Sequence, residues 1–281
     1  MIDALAIWWL LATSMAVLAA LLIPLPFLDR RRLDGGNVWA KPIKFSISLA
    51  IHFLTLALVT AALAPAVSGS LPLTIVASAA AAATLYEMAY IVFRAARGER
   101  SHFNVATRLA AALYAGMAFG AVVITLAAGA VGLAVVVGGA PALGPATWMG
   151  TVIGLVGGTV LTFLTAFPIG AALSRHVGKP PADEMRMPLT GWSLSVADRR
   201  IPHFLGTHAM QALPLAGLVL DLLLPAAAAG AAILVASALY VLVVLASARL
   251  VARGVALPDW GRALLGHPPR RASVAEGQTI P

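Results

Sequence analysis

The run PIKFSISLAIHFLTLALVTAAL, from Pro42 to Leu63, decides the fold. At about 1.5 Å per residue it is long enough to cross roughly 30 Å of hydrocarbon as a helix. It starts beside Lys41 and Lys44 and runs out into a stretch without a single cation. Six more apolar runs repeat the pattern: Leu5 to Leu28, Leu71 to Arg94, Thr107 to Val137, Ala146 to Ser174, Ile201 to Leu223 and Ala228 to Ala252. The polar stretches between them alternate in charge. Arg30, Arg31, Arg32, Lys41 and Lys44 fall in one, and Arg94, Arg97, Arg100 and Arg108 in the next basic one. Arg175, Lys179, Arg186, Arg199 and Arg200 make a third, and Arg249, Arg253, Arg262, Arg270 and Arg271 a fourth, which accounts for all 19 Lys and Arg. The intervening stretches, Met1 to Ala4, Ala64 to Leu71, Gly138 to Pro145 and Leu224 to Ala227, have none. Short loops rich in Lys and Arg stay on the cytoplasmic side. The expected architecture is therefore an all-α, polytopic bundle of seven transmembrane helices over residues 1–252, with the amino terminus outside. A cytoplasmic, partly disordered tail over 253–281 completes it.

A chain that is 60% hydrophobic and 11% charged has too few charges for a soluble domain, in which they make up about a quarter of the residues. The net charge of +8 sits beside apolar spans, where it faces anionic lipid head groups. The lipid bilayer, and not nucleic acid, is the expected partner; protein partners and oligomeric state are left undefined. Without cysteine there is no disulfide, no thiolate nucleophile and no Cys-ligated metal or iron–sulfur cluster. Met1-Ile2-Asp3 lacks the basic start of a cleavable signal peptide, so the first span is expected to be retained. Gly150, Gly154 and Gly158 form a small-residue face that allows another helix of the bundle to approach closely. Pro168 and Pro214 are candidate kinks, and Trp260, Leu264 and Leu265 form a short amphipathic patch in the tail.

Polar residues inside the spans are unevenly distributed. In the second, Lys41, Lys44, Ser48, His52 and Thr55 recur at helical spacing on one face, and in the third Glu87, Tyr90 and Arg94 do the same. In the sixth, His203, Thr207, His208 and Gln211 cover an arc of about 140°. His52, Glu87 and His208 share a layer roughly 10 to 12 Å below the basic boundary. Above them lies a shallower ring of Lys41, Lys44, His102, Asn104, Asp198, Arg199 and His203.

An ionisable residue at a helix centre costs about 2.5 to 3.5 kcal/mol to insert, so such residues face cavities and partners. His52, Glu87 and His208 suit zinc or non-haem iron, with Glu87 and Asp198 as candidate catalytic groups. The two imidazoles also suit axial ligation of a b-type haem. Lys41, Lys44, Ser48, Tyr90, His102, Asn104, Arg199, His203 and Gln211 are the candidate pocket lining. Against these stands the plainer reading, interhelical hydrogen bonds that hold the bundle together. A metal-dependent enzyme on a lipid-like substrate, a haem redox protein, a small-molecule transporter or sensor, and a membrane partner without a site all remain open. His102, His176, His203 and His267 are expected in solvated or capping roles.

Three segments carry a resemblance: Trp39-Ala-Lys-Pro-Ile-Lys-Phe-Ser, Glu87 through Arg97-Gly-Glu-Arg-Ser-His-Phe-Asn104, and Asp198-Arg-Arg-Ile-Pro-His-Phe-Leu-Gly-Thr-His-Ala-Met-Gln211. They resemble blocks of bacterial multi-span membrane proteins of unassigned activity. The resemblance implies a multi-pass protein of the bacterial inner membrane with seven spans. A looser likeness is to the seven-span zinc hydrolases that include alkaline ceramidases and adiponectin-type receptors. The last span here lacks the His pair at spacing four that their zinc site would require.

Overall fold

The computed structural model describes residues 2–256. The expectations for Trp260, Leu264 and Leu265, for His267 and for a disordered tail lie outside the described residues. Apart from two short strand pairs, the regular structure of the described residues is helical, and the helices begin and end where local chemistry dictates. Helix α1 (Ala4–Leu22) opens on Asp3, whose carboxylate accepts from the Ala6 N–H at 2.9 Å. It continues through the short α2 (Leu25–Leu28). Helix α3 (Ala40–Ala62) is followed by the one-turn α4 (Pro65–Ser68) and by α5 (Leu71–Ala96), both with Pro in the first turn. The 31-residue α6 (Arg108–Gly138) is capped by Thr107, whose hydroxyl accepts from the Ala110 N–H at 3.1 Å. Then come α7 (Pro145–Val152), a π-helical turn (Ile153–Gly157), α8 (Gly158–Ala171), α9 (Arg200–Leu223) and α10 (Ala226–Ala252).

Six helical segments are long and apolar enough to cross a membrane: Ala4–Leu28, Ala40–Ala62, Leu71–Ala96, Arg108–Gly138, Pro145–Ala171 and Ala226–Ala252. The expected sixth span is a 24-residue helix, α9, and is long enough. It is not among the six, because His203, His208, Gln211 and Asp221 lower its hydropathy.

Helix α9 is bound to the α7–π-turn–α8 segment along its whole length. A Cβ built on Gly150 would lie 2.4 Å from the Leu213 carbonyl oxygen, and one on Gly154 2.7 Å from that of Ala209. In return, a Cβ on Gly217 of α9 would lie 2.4 Å from the Ala146 carbonyl oxygen. The Gly150, Gly154 and Gly158 face thus packs inside the bundle, backbone against backbone. Pro214 lies within α9 with its Cδ 3.1 Å from that built Cβ of Gly154, so the π-turn and the proline meet. Asp221, near the cation-free end of α9, accepts from the N–H groups of Ala146 (3.0 Å) and Thr147 (2.8 Å) and from the Thr147 hydroxyl (2.6 Å). It caps the start of α7 from a different helix, at the terminus where a negative charge is favoured.

Helices α1, α3, α5 and α6 enclose the main core, in which Trp8 stacks on Phe53 with centroids 5.9 Å apart. Two small hairpins shape the basic end, although the sequence pattern suggested helices alone. Strands β1 (Arg32–Leu33) and β2 (Gly36–Asn37) pair across Asp34-Gly35, with φ of 53° and 80°, the left-handed pair a two-residue turn demands. Strands β3 (His176–Val177) and β4 (Ala197–Asp198) clasp the ends of the 172–199 loop.

Candidate functional site

A cavity of about 430 Å³ opens at the basic end of the bundle. Its floor and inner wall come from Lys41 of α3 and from Ile91 and Ala95 of α5, and its rim from the 29–39, 97–107 and 172–199 loops. Four cations line it, Lys41, Arg100, Arg175 and Arg186, against the two carboxylates of Asp34 and Glu99. The balance is more uneven than that count. The Asp34 carboxylate is taken by Arg100, while the Arg186 guanidinium is shared between Glu184 (2.8 and 2.6 Å) and the Asp34 carbonyl. Glu99 pairs with Arg94 at 2.5 Å and Arg97 at 3.1 Å.

Lys41 and Arg175 are different. Among the described residues neither makes an ion pair, and their like charges repel across the cavity. The Lys41 ammonium lies 5.6 Å from the Phe45 ring centroid, and Arg175 donates its Nε–H to Nε2 of His176 at 3.2 Å. Burial lowers the pKa of the Arg175 guanidinium, and the charges of Arg200 and Arg186 lower it further.

His102 and His176, expected in solvent, are drawn into this end of the protein. His102 packs edge-on against Phe45 (5.6 Å) and beside Tyr114 (6.0 Å). Burial, reinforced by the charge of Lys41, holds its imidazole pKa well below the usual value, so it is neutral at pH 7. His176 is buried, with Nε2 3.0 Å from Glu184 Oε1. Burial depresses its pKa more strongly than the Glu184 charge raises it.

Beneath the cavity lies Glu87, only 4% exposed, one helical turn deeper than Ile91 on α5. A Cβ on Gly120 of α6 would come within 3.3 Å of its Cγ and Oε1, so the glycine makes room for the acid. The carboxylate lies against the Ala121 backbone, and its Oε1 has no hydrogen-bond partner. The Tyr90 hydroxyl, one turn above it, is likewise buried without a partner. His52 meets the same stripe of α6 one turn further in, against the backbone of Ile124, with Nε2 unpartnered. Glu87 and His52 therefore approach one face of α6 from two helices.

Other predicted lining residues are placed elsewhere. His208 is held by Gln211 (3.1 Å), which donates to the Thr55 hydroxyl at 3.0 Å and so joins α9 to α3. His203 turns the other way, with Nδ1 3.3 Å from Thr165 Oγ1 of α8. Lys44 donates to the Thr190 carbonyl at 3.1 Å, and Ser48 is exposed on α3, where the buried serine is Ser46. Asn104 shapes its own loop through the Arg100 carbonyl and the Ala106 N–H, both at 3.4 Å. Arg199 donates to the carbonyls of Ser174 and His176. Asp198 is wholly buried, and both its oxygens are engaged by Arg200 (2.9 and 2.5 Å) and by the N–H groups of Ser193 and Arg200. Among the described residues no three His, Asp or Glu side chains are arranged to hold a metal ion.

Sequence reasoning missed Arg175 and Arg186 as pocket residues and Asp221 as a cap. For Asp221 a signal was present, a lone acid near a helix end on the side that lacks cations. For Arg175 and Arg186 there was none, because only the folding of the 172–199 loop turns them inward. A comparison of the chain with protein-family models, with curated proteins and with solved structures found no match in any of the three.

Proposed function

We propose that this is a multi-pass membrane protein of the transporter or sensor class that binds a small anionic solute in the cavity at its basic end. The reading is carried by one observation: Lys41 and Arg175 line the same cavity, repel each other, and among the described residues neither makes an ion pair with a carboxylate. An anion seated there would relieve the repulsion and accept charge-assisted hydrogen bonds from both. Because loops form the rim, the solute enters from the aqueous side. Isothermal titration of detergent-purified protein with inorganic phosphate, sulfate and citrate, at ionic strength matched with chloride, tests it. Saturable binding of at least one anion is expected. It should weaken about 10- to 100-fold in Lys41→Met and in Arg175→Met, the loss for a hydrogen bond to a charged group. No saturable binding of any of the three would overturn the reading.

The metal-dependent reading draws on His52, Glu87 and His208, but the Gln211 contact of His208 and the Ile124 and Ala121 contacts of the other two direct them to separate neighbours. Zinc, iron or a Soret band at one equivalent in gently purified protein would replace the anion reading with the metal or haem one.

The same proposal includes α9 as a seventh span, the amino terminus outside and the basic end in the cytoplasm of a bacterial inner membrane. Its support is the 19-to-0 partition of cations. Reporter fusions after Gly69 and Ala142 are expected to read external, and those after Arg97 and Lys179 cytoplasmic. A cytoplasmic signal at Gly69 would reverse the orientation.

A further inference from the structure

One atom of the cavity wall is claimed twice. Nε2 of His176 accepts the Nε–H of Arg175 at 3.2 Å and lies 3.0 Å from Oε1 of Glu184. The two contacts need opposite protonation states. An imidazole nitrogen that accepts from a guanidinium offers a lone pair, and one that bonds to a carboxylate must carry a proton. In the structure the guanidinium holds it, and the buried Oε1 of Glu184 has no hydrogen-bond partner among the described residues. We propose that His176 is a proton-operated switch on the anion site: when protonated it passes from Arg175 to Glu184 and releases the Arg175 guanidinium into the cavity that both residues line. This rests on the anion-pocket reading and adds its regulation by pH.

The backbone around the switch is anchored, so only side chains move. The His176 N–H donates to Ser174 Oγ at 3.1 Å, Arg199 donates to the His176 carbonyl, and the β3–β4 clasp pairs His176 with Asp198. The Arg175 carbonyl accepts from the Arg199 N–H at 2.8 Å. Arg186 holds Glu184 through Oε2, at 2.8 and 2.6 Å, which leaves Oε1 for the imidazole. On acidification a proton from bulk water forms the Nε2–H bond, the hydrogen bond from Arg175 Nε–H breaks, and Nε2–H donates to Glu184. Arg175 then offers Nε–H together with an Nη–H, the planar fork that grips an oxyanion at two points. The surrounding charges leave Glu184 as the acceptor. Asp198, the other carboxylate that acts on His176, has both oxygens engaged by Arg200 and by backbone N–H groups. The charges of Arg175 and Arg200 oppose protonation, and the end of α10, which meets β4, brings only Arg249 and Arg253 among the described residues. Across the cavity Asp34 is paired with Arg100, and Glu99 with Arg94 and Arg97. Lys41 and His102 are the other titratable groups that line it. Burial holds the His176 pKa below the usual imidazole value of 6.5, so the switch rests on Arg175 at neutral pH and turns in acid.

Sulfate is the probe, since it neither binds nor releases protons from neutral to mildly acidic pH. Its binding is followed by calorimetry across that range at constant ionic strength. The His176 imidazole is followed by nitrogen-15 shifts of histidine-labelled protein, its signal being the one lost in His176→Gln. Wild type is expected to bind sulfate about tenfold more tightly at the acid end, the low end of the range for a hydrogen bond to a charged group. By reciprocity, saturating sulfate is expected to raise the His176 pKa by about one pH unit. His176→Gln is expected to lose the tightening. Sulfate that binds wild type without moving the His176 pKa overturns the switch and leaves the pocket intact. Tightening that persists in His176→Gln assigns the proton to Lys41 or His102 and overturns the role of His176. No sulfate binding at any pH removes the pocket reading and its regulation with it. If His176→Gln fails to fold, Glu184→Gln decides: it keeps an acceptor oxygen without the charge, so the tightening must move to lower pH, and an unmoved profile overturns the proposal.

Discussion

Replacing Gly217 by alanine is expected to destabilise the folded protein by about 1–3 kcal/mol, the usual cost of overpacking, and to lower its unfolding temperature in detergent. The added Cβ would meet the Ala146 carbonyl oxygen at 2.4 Å and Thr147 Cα at 2.7 Å, all of it backbone with no rotamer to yield. Helices α7 and α9 must then separate, and the Asp221 hydrogen bonds to Ala146 and Thr147, one turn away, are strained with them. Gly150→Ala is expected to act alike through the Leu213 carbonyl. Gly170→Ala is the control. It has nothing within 4 Å of a built Cβ and should stay within about 0.5 kcal/mol of wild type. Thermal unfolding followed by circular dichroism separates the cases, and a neutral Gly217→Ala would show that α9 does not pack as described.

Replacing Asp198 by alanine should cost about 3 kcal/mol, the lower end of the range for breaking a buried ion pair, because Arg200 keeps 27% of its side chain in contact with solvent. The loss is local at first. Asp198 ties Ser193 to the start of α9, and Arg200 also holds the Gly191 carbonyl at 2.7 Å, so the 172–199 loop is released. Trypsin should then cut after Arg186, which precedes Met187, in the mutant far faster than in wild type, and anion binding should weaken because that loop forms the cavity rim. A pH dependence follows. Burial alone would raise the Asp198 pKa, but the hydrogen bond and charge of Arg200, with the Ser193 and Arg200 N–H groups, outweigh it and hold it below the usual carboxylate value. The stabilisation is therefore complete above the unfolded value of about 3.9 and is lost as the pH falls through the lower folded one. Wild type should resist trypsin across the neutral and mildly acidic range. Equal cleavage of wild type and mutant at neutral pH would count against this role.

The membrane character of the chain could be read directly from the sequence, because each apolar run must satisfy its own backbone hydrogen bonds and only a helix does so in hydrocarbon. The small-residue face at Gly150, Gly154 and Gly158 was also legible, since spacing four puts residues on one side of a helix whatever surrounds it. Distance along each helix suggested one shared layer for Glu87 and His52; the structure sets both against α6, with His52 one turn further in than Glu87. What each polar residue does was beyond periodicity. A helical face fixes direction only to within a wide arc, so His203 and His208, both on the polar side of α9, turn to α8 and α3. Arg175, His176 and Arg186 lie in a loop whose path depends on pairing across the β3–β4 clasp and on the buried Asp198, contacts between residues far apart in the chain. The helices and their polar faces were determined by composition and spacing, which act along the chain. The cavity, with Lys41 and Arg175 both unpaired within it, was decided by tertiary packing, because only the folded loops dictate which cation finds a carboxylate and which is left without one.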